Sequence, residues 1–212
     1  MSRPKFDQQP IIPLTLQEVQ ALVSAAEWGA PWKTRTGKQA RSKRPTAKRD
    51  KAIILVLLDT GVRASELCDL QIRDYEADNG QLYIRHGKGN KRRVVYLGQR
   101  ARLHLWRYMT DRQDARPADP LFASRTNTRL DRTNLRHMLN TVARQAKVND
   151  VHPHRFRHTF AITFLRNGGN TFVLQKLLGH SELSTVLKYV RLAETDIRAA
   201  QATASVVDNW RL

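Results

Sequence analysis

The apolar positions of the chain follow the helical period over most of its length. Five of them share one helical face near the start: Leu16, Val19, Leu22, Val23 and Ala26. Thr15 and Glu18 have the spacing of a capping box, so we expect a helix from there to about Trp28. Residues 1–13 before it are polar and contain three prolines, which predicts an extended or flexible N-terminal segment.

Two more helices are predicted on either side of a glycine. Residues 52–58 are all apolar, and the buried helix that they indicate ends at Gly61, a residue suited to a left-handed C-cap. Ser65 can cap a short helix over 66–70. Arg63 then lies in the junction between the two helices.

The period changes to two in the middle of the chain. Residues 82–86 and 93–97 alternate like strands around the glycine-rich turn 87–90, which predicts a hairpin with Lys88 at its tip. Helical patterns then resume, separated by proline and glycine: 100–111, 133–147, 154–166, 171–178, 183–191 and 194–207. We therefore predict a mainly α fold with a small antiparallel β-sheet (α+β), in one domain over residues 14–212.

The charge of the chain indicates a polyanionic partner. Lys and Arg number 37 against 19 Asp and Glu, which gives a net charge of +18 on 212 residues. The same chain is 41% apolar, mostly in periodic segments, which favours a packed core over a basic tail.

The number of cysteines and the length of the apolar runs exclude further classes of protein. Cys68 is the single cysteine, so an internal disulfide and a zinc site of the usual thiolate kind are excluded. The longest apolar run, 52–58, is too short to span a membrane and too deep in the chain for a signal peptide. We expect a cytoplasmic protein without membrane contact.

His154 and His158 have i, i+4 spacing as in some metal sites, but Arg157 beside them would repel a cation, so we expect no metal and no other cofactor.

A strongly basic connection links the first two helices. Nine of the nineteen residues from Lys33 to Lys51 are Lys or Arg, and we interpret 33–51 as a basic loop that contacts the phosphates of a polyanionic partner. A solvated charged linker remains the alternative. The candidate phosphate-binding residues of this loop are Lys33, Arg35, Lys38, Arg41, Lys43 and Arg44.

Five motifs occur in a fixed order along the rest of the chain: Arg63-Ala64-Ser65-Glu66-Leu67, Gly87-Lys88-Gly89-Asn90-Lys91, His154-Arg155-Phe156-Arg157-His158, Leu178-Gly179-His180 and Tyr189. Together they resemble the catalytic domain of the tyrosine recombinases, the phage integrase family, over roughly Leu14 to Tyr189. Both Xer-like recombinases and the short fimbrial-switch invertases are compatible with this pattern.

The resemblance implies a strand-transfer site made of Arg63, Lys88, His154, Arg157, His180 and Tyr189. Tyr189 would attack phosphorus and leave a 3′-phosphotyrosyl bond, without metal or ATP. Two arginine forks would stabilise charge on the nonbridging oxygens.

The remaining site residues are also assigned through the resemblance. His154 would bind the phosphate or accept a proton from the nucleophile, His180 would brace the site, and Lys88 would protonate the leaving hydroxyl, with Lys91 as its rival. Glu66 and His158 are expected to support the catalytic residues from behind. The three residues Lys91, Arg92 and Arg93 are expected to contact the DNA backbone.

The resemblance also sets expectations about assembly and partners. The partner would be double-stranded DNA with specific recombination sites, bound by a tetramer of a chain that is monomeric in solution. Residues 194–212 would form a C-terminal helix and tail, exchanged between protomers or packed in cis. Only about fourteen residues precede the first helix, so we expect the N-terminal core-binding domain of longer relatives to be absent, in a natural short protein or a truncated one. A DNA-binding regulator with the same fold, a topoisomerase-like enzyme and, more remotely, a metal nuclease are the alternative functions.

Overall fold

The computed structural model describes residues 11–29, 31–85, 92–179, 183–193 and 205. Eight α-helices lie within these ranges: α1 (Leu16–Glu27), α2 (Ala47–Thr60), α3 (Ala64–Asp69), α4 (Gln99–Met109), α5 (Arg132–Ala146), α6 (Pro153–Arg166), α7 (Thr171–Leu178) and α8 (Leu183–Ala193). Five short strands accompany them: β1 (Trp32–Lys33), β2 (Gln39–Ala40), β3 (Tyr75–Glu76), β4 (Gln81–Ile84) and β5 (Arg93–Tyr96). The predicted mainly helical fold with a small antiparallel sheet is confirmed.

The strands form two separate antiparallel sheets. β1 and β2 make a small hairpin, and β3, β4 and β5 make a three-stranded sheet in that order. Ile84 pairs with Arg93 at the end of the β4–β5 ladder. Arg93 therefore stands beside the predicted turn, which itself falls outside the described residues.

Two predicted helix starts differ from the structure. α2 begins at Ala47 rather than at residue 52, so the end of the predicted basic loop is helical. Asp50 makes this possible, because its buried carboxylate accepts a hydrogen bond from Thr46 Oγ1 at 2.8 Å and pairs with Arg44 and Arg49. Ser65 is not the cap of α3.

The cap of α3 is Arg63, whose extended backbone precedes the helix. The Arg63 amide donates to Glu66 Oε2 at 2.8 Å. A carboxylate three residues into the helix therefore satisfies the first backbone donor, which a serine at position 65 could not reach.

A large core surrounds α2, which packs against α1, α4 and α6. A second, smaller apolar cluster joins α6, α7 and α8. Helix α6 connects the two, because Phe156 is buried in the first cluster and Ile162 in the second. The chemistry-bearing residues of α6 and α8 are therefore held between two packed regions.

The segment just before α1 is held in place rather than free. Buried Arg155 donates to the carbonyls of Ile12 and Pro13 and pairs with Glu18 at 3.0 Å. The last residues of the predicted N-terminal segment thus have partners on α6 that the local sequence does not reveal. No helix among the described residues is both long enough and apolar enough to cross a membrane.

Candidate active site

The first candidate catalytic arginine, Arg63, follows a sharp backbone reversal at the end of α2. Gly61 takes the left-handed conformation there, with φ of +61°. A Cβ at this position would lie 2.5 Å from Phe160 Cδ1, so both the conformation and the close approach of α6 require glycine. The turn thereby brings the start of α3 against α6, where the second arginine lies.

Glu66 orients Arg63 through its side chain as well as its backbone. Arg63 Nη1 donates to Glu66 Oε1 at 2.8 Å, and the carboxylate is almost fully buried. Burial alone would raise the pKa of Glu66, but hydrogen bonds and charge from Arg93, together with those from Arg63, lower it to about 2. Glu66 is therefore an anion at neutral pH. The side chain of Arg63 remains 20% exposed.

Arg157 is the more buried of the two arginines, with 3% of its surface exposed. Its Nη1 donates to the carbonyl of Gly61 and its Nη2 to that of Leu178, both at 2.7 Å. Burial lowers the pKa of Arg157 to about 10, and the charge of Arg63 acts in the same direction. Arg157 is still protonated at neutral pH, so two cations are held near each other before any anion binds.

Tyr189 on α8 points into the same region. Its hydroxyl lies 2.9 Å from His158 Nδ1, and 4% of the residue is exposed. Burial raises the pKa of Tyr189, while the positive charges of Arg157 and Arg63 oppose the rise. The phenol is therefore neutral at rest but lies within the electrostatic influence of both arginines.

His158 is neutral as well. Burial lowers its pKa to about 4, and His154, His152 and Arg157 add repulsion against a positive ring. A neutral imidazole protonated at Nε2 can accept the Tyr189 proton at Nδ1. His158 thus contacts the candidate nucleophile directly, whereas the sequence indicated only a supporting role.

His154 stands one turn earlier on α6 and is exposed. Its ring stacks on that of His158 with a centroid distance of 6.1 Å. Local desolvation, followed by the charge of Arg157, lowers its pKa. This position suits contact with a bound phosphate more than contact with Tyr189.

Four of the predicted catalytic residues thus converge with their supports among the described residues, namely Arg63, His154, Arg157 and Tyr189. Within that part of the chain, no group of three or more His, Cys, Asp and Glu side chains is placed to hold a metal ion.

A sequence model of the phage integrase family matches residues 14–196. The chain belongs to the phage integrase family.

The names of similar proteins are consistent with membership of this family. The chain is 35% identical over 167 residues to the tyrosine recombinase XerA of Thermococcus kodakarensis, with 77% of this chain and 58% of that protein covered. It therefore spans less than two thirds of that relative. A crystal structure of XerA recombinase has a TM-score of 0.73 at 28% identity, covering 96% of this chain and 67% of the other.

A second solved structure shares the fold. The Tn1549 transposon integrase, in complex with circular intermediate DNA, has a TM-score of 0.69 at 21% identity and covers 93% of this chain and 67% of the other. At this identity the likeness concerns the fold alone. It agrees with the observed arrangement of helices around the small sheet.

The other predicted site residues of this family member fall in two groups. Lys88, Lys91 and His180 lie outside the described residues. Arg92 is exposed just before β5, as a DNA-contact residue would be. Arg93 is not, because its side chain is 8% exposed and all three of its side-chain nitrogens donate to protein oxygens.

The basic connection shows a similar division. Lys33, Arg35, Lys38 and Arg41, hereafter the hairpin cations, are exposed on and around the β1–β2 hairpin. Lys43 is exposed but lies 3.4 Å from Glu27 and over the ring of Trp28. Arg44 turns inward to Asp50 at 2.9 Å, so its expected role as a phosphate contact does not fit its position.

Arg93 is the functional candidate whose role the sequence did not reveal. The alternation of side chains along a strand could have indicated that Arg93 points inward. Arg93, Val95 and Leu97 stand at alternate positions, and the two apolar residues are buried. Position 93 therefore faces inward. Its charge had favoured an outward, DNA-facing interpretation.

Proposed function

We propose that this chain is the catalytic part of a tyrosine-type site-specific recombinase that cleaves and rejoins duplex DNA through a covalent 3′-phosphotyrosyl intermediate. One observation carries the proposal: the Tyr189 hydroxyl lies against a neutral histidine and under the influence of two arginine cations. A nucleophile, a proton acceptor and charge stabilisation for a phosphoryl group are thus brought together. The names of the relatives, tyrosine recombinase and transposon integrase, support the same reaction.

In the proposed step, Tyr189 Oη attacks the scissile phosphorus. The new O–P bond forms as the P–O5′ bond breaks, and the tyrosine proton passes to His158 Nδ1. Arg63 and Arg157 stabilise the nonbridging oxygens, to which His154 also donates. Lys88, which lies outside the described residues, would give a proton to the departing 5′ oxygen, so that the strand leaves with a 5′ hydroxyl. The phosphotyrosyl bond retains the energy of the broken bond, so rejoining by a 5′ hydroxyl needs no ATP.

The stoichiometry of the reaction supports a tetramer on DNA. Each chain supplies one tyrosine and cuts one strand, so exchange between two duplex sites requires four chains. Double-stranded DNA with two specific sites would be the partner, and the hairpin cations would add phosphate contacts beside the active site. Residues 194–212, which we propose to reach a neighbouring chain, lie outside the described residues except for Ser205. This DNA-directed activity fits a cytoplasmic protein.

The test is covalent trapping on nicked duplexes drawn from the DNA that flanks the gene. A nick close to the cleaved bond lets the short 5′-hydroxyl fragment diffuse away, so the adduct accumulates. We expect a protein–DNA adduct that survives denaturation with the wild type and none with Tyr189→Phe, while both bind the duplex equally. Tyr108→Phe is the matched control, because Tyr108 is also a buried tyrosine whose hydroxyl makes a hydrogen bond, to the Ala123 amide.

The outcomes separate the alternative functions. An adduct with the Tyr189→Phe variant would refute the assigned nucleophile. Binding without any adduct would favour a DNA-binding regulator. Relaxation of a supercoiled plasmid without exchange between two sites would favour a topoisomerase.

A further inference from the structure

Arg93 lies where three elements of the active site meet. It is the first residue of β5, and its side chain reaches both α3 and the end of α7. Nη1 and Nη2 donate to Glu66 Oε1 and Oε2 at 2.8 and 2.7 Å, and Nε donates to the carbonyl of Leu177 at 2.7 Å. One guanidinium therefore links a strand, a helix N-terminus and a helix C-terminus.

Both of these contacts lead to a catalytic arginine. The carboxylate that Arg93 binds is the one that orients Arg63. The next carbonyl after Leu177, that of Leu178, accepts the hydrogen bond from Arg157 Nη2. The last carbonyls of a helix lack intrahelical donors and carry partial negative charge. Two arginines on consecutive carbonyls therefore define where the end of α7 stands relative to the site.

The packing around Arg93 is close. Gly179 caps α7 with φ of +63°, and a Cβ there would lie 3.1 Å from Arg93 Nη1. A bidentate pair with a carboxylate uses the planar fork of arginine, which a lysine ammonium cannot reproduce. The side chain at position 93 is thus fixed by geometry as well as by charge.

We propose that Arg93 is a positioning residue for the cleavage reaction, which fixes Glu66 and the end of α7 so that Arg63 and Arg157 meet the scissile phosphate together. The inference rests on the proposed function above. Arg93 acts through these two arginines and does not itself contact DNA, because its side chain is 8% exposed and each of its three side-chain nitrogens donates to a protein oxygen. Its loss should therefore reduce the rate of cleavage and leave DNA affinity unchanged.

The test compares Arg93→Met with a matched control on the same sheet. Arg85 follows β4 and pairs with Asp74, another buried carboxylate, whereas Glu66 is the carboxylate that orients Arg63. Arg85→Met therefore also leaves a buried acid without its arginine. Both variants are assayed for thermal unfolding, for DNA affinity and for single-turnover adduct formation on the nicked duplex at saturating protein.

Two substrates distinguish positioning from a general loss of structure. One carries the ordinary phosphate and the other a neutral methylphosphonate at the cleaved position, which places less negative charge on the transition state. A variant with misplaced arginines should lose less on the neutral linkage. We expect Arg93→Met to slow adduct formation about 10- to 100-fold on the phosphate and no more than about threefold on the methylphosphonate. Arg85→Met should match the wild type on both.

Each other outcome gives a definite answer. Equal losses for Arg93→Met on the two substrates, or a rate equal to that of the wild type, would overturn the positioning role. Arg93→Lys covers the case in which the Met variant does not fold: a wild-type rate would mean that neutralising Glu66 is sufficient, and the inference would be wrong. If the wild type itself forms no adduct on DNA that it binds, the proposed function fails, and this inference fails with it.

Discussion

Replacing His158 by Asn should remove the group that accepts the proton of the nucleophile. The contact of 2.9 Å between His158 Nδ1 and Tyr189 Oη is the basis of this prediction. Asparagine keeps a polar side chain but has no basic nitrogen. We therefore expect the variant to fold and bind DNA but to form the covalent adduct slowly.

The size of the effect follows from the two acidities. The pKa of His158 is about 4, and that of Tyr189 lies above its ordinary value of 10. Full proton transfer before attack would thus be uphill by at least about 8 kcal/mol. His158 can accept the proton only while the O–P bond forms and the phenol becomes more acidic. A weak base of this kind should contribute a rate acceleration at the lower end of the range for general-base catalysis. We therefore expect the variant to form the adduct about 100-fold more slowly than the wild type.

The pH profile of single-turnover adduct formation is the decisive assay. Above about pH 6, His158 is already unprotonated in the wild type, so its contribution to the rate should not change with pH. The variant has to rely on free phenolate, whose fraction rises about tenfold per pH unit below the pKa of Tyr189. The deficit should therefore shrink as the pH is raised from about 7 to 9.

His154→Asn is the matched control for this experiment. His154 lies on the same helix and its ring stacks on His158, but its position favours the phosphate. We expect its loss to slow cleavage by a factor that does not depend on pH over the alkaline range. If His154→Asn shows the shrinking deficit and His158→Asn does not, the roles assigned to the two histidines are reversed. A rate for His158→Asn equal to that of the wild type would refute the reasoning.

Two further predictions concern stability and DNA affinity. The pKa of Glu66 is lowered from 4.5 to about 2, so its ion pairs contribute up to about 3 kcal/mol above pH 4.5, a contribution lost as the pH falls through about 2. Glu66→Gln should accordingly lower the free energy of unfolding in urea more at neutral pH than near pH 3, and an equal loss at both would contradict this. Changing the four hairpin cations to Gln should reduce the slope of log affinity against log salt by up to about 3 to 4, at an unchanged cleavage rate under saturation. An unchanged slope would identify the hairpin as a solvated linker. Arg44→Gln is the control, because it should lower the free energy of unfolding instead of the salt dependence of DNA binding.

Local patterns predicted most of the helices because caps and periodicity are local properties. The capping box of Thr15 and Glu18 and the left-handed cap at Gly61 both occur as expected. The start of α2 could not be predicted in the same way. Three of the four residues of its first turn are charged, and Asp50 is buried there only because three donors surround it.

The motifs indicated which of the described residues lie near one another but not which contacts they make. The motifs placed Arg63, Arg157 and Tyr189 together, since their order and spacing resemble those of a family. The direct contact of His158 with Tyr189 depends on how α6 and α8 pack, which no spacing within either helix determines. The inward turn of Arg93 depends in the same way on a carboxylate 27 residues earlier in the chain.

Burial is the main reason why the histidines of the described part of the site are neutral, and the balance of charge there acts in the same direction. Arg63, Arg93 and Arg157 supply three positive charges against the single negative charge of Glu66, which leaves an excess of two before substrate binds. A further cation is unfavourable there, which agrees with the lowered pKa values of His154 and His158. A bound phosphodiester brings one negative charge and gains a second as attack proceeds. The approaching anion must then raise the affinity of His158 for a proton at the moment when Tyr189 gives one up. Burial, aided by nearby positive charge, thus keeps His158 a free base until the substrate makes it a stronger one.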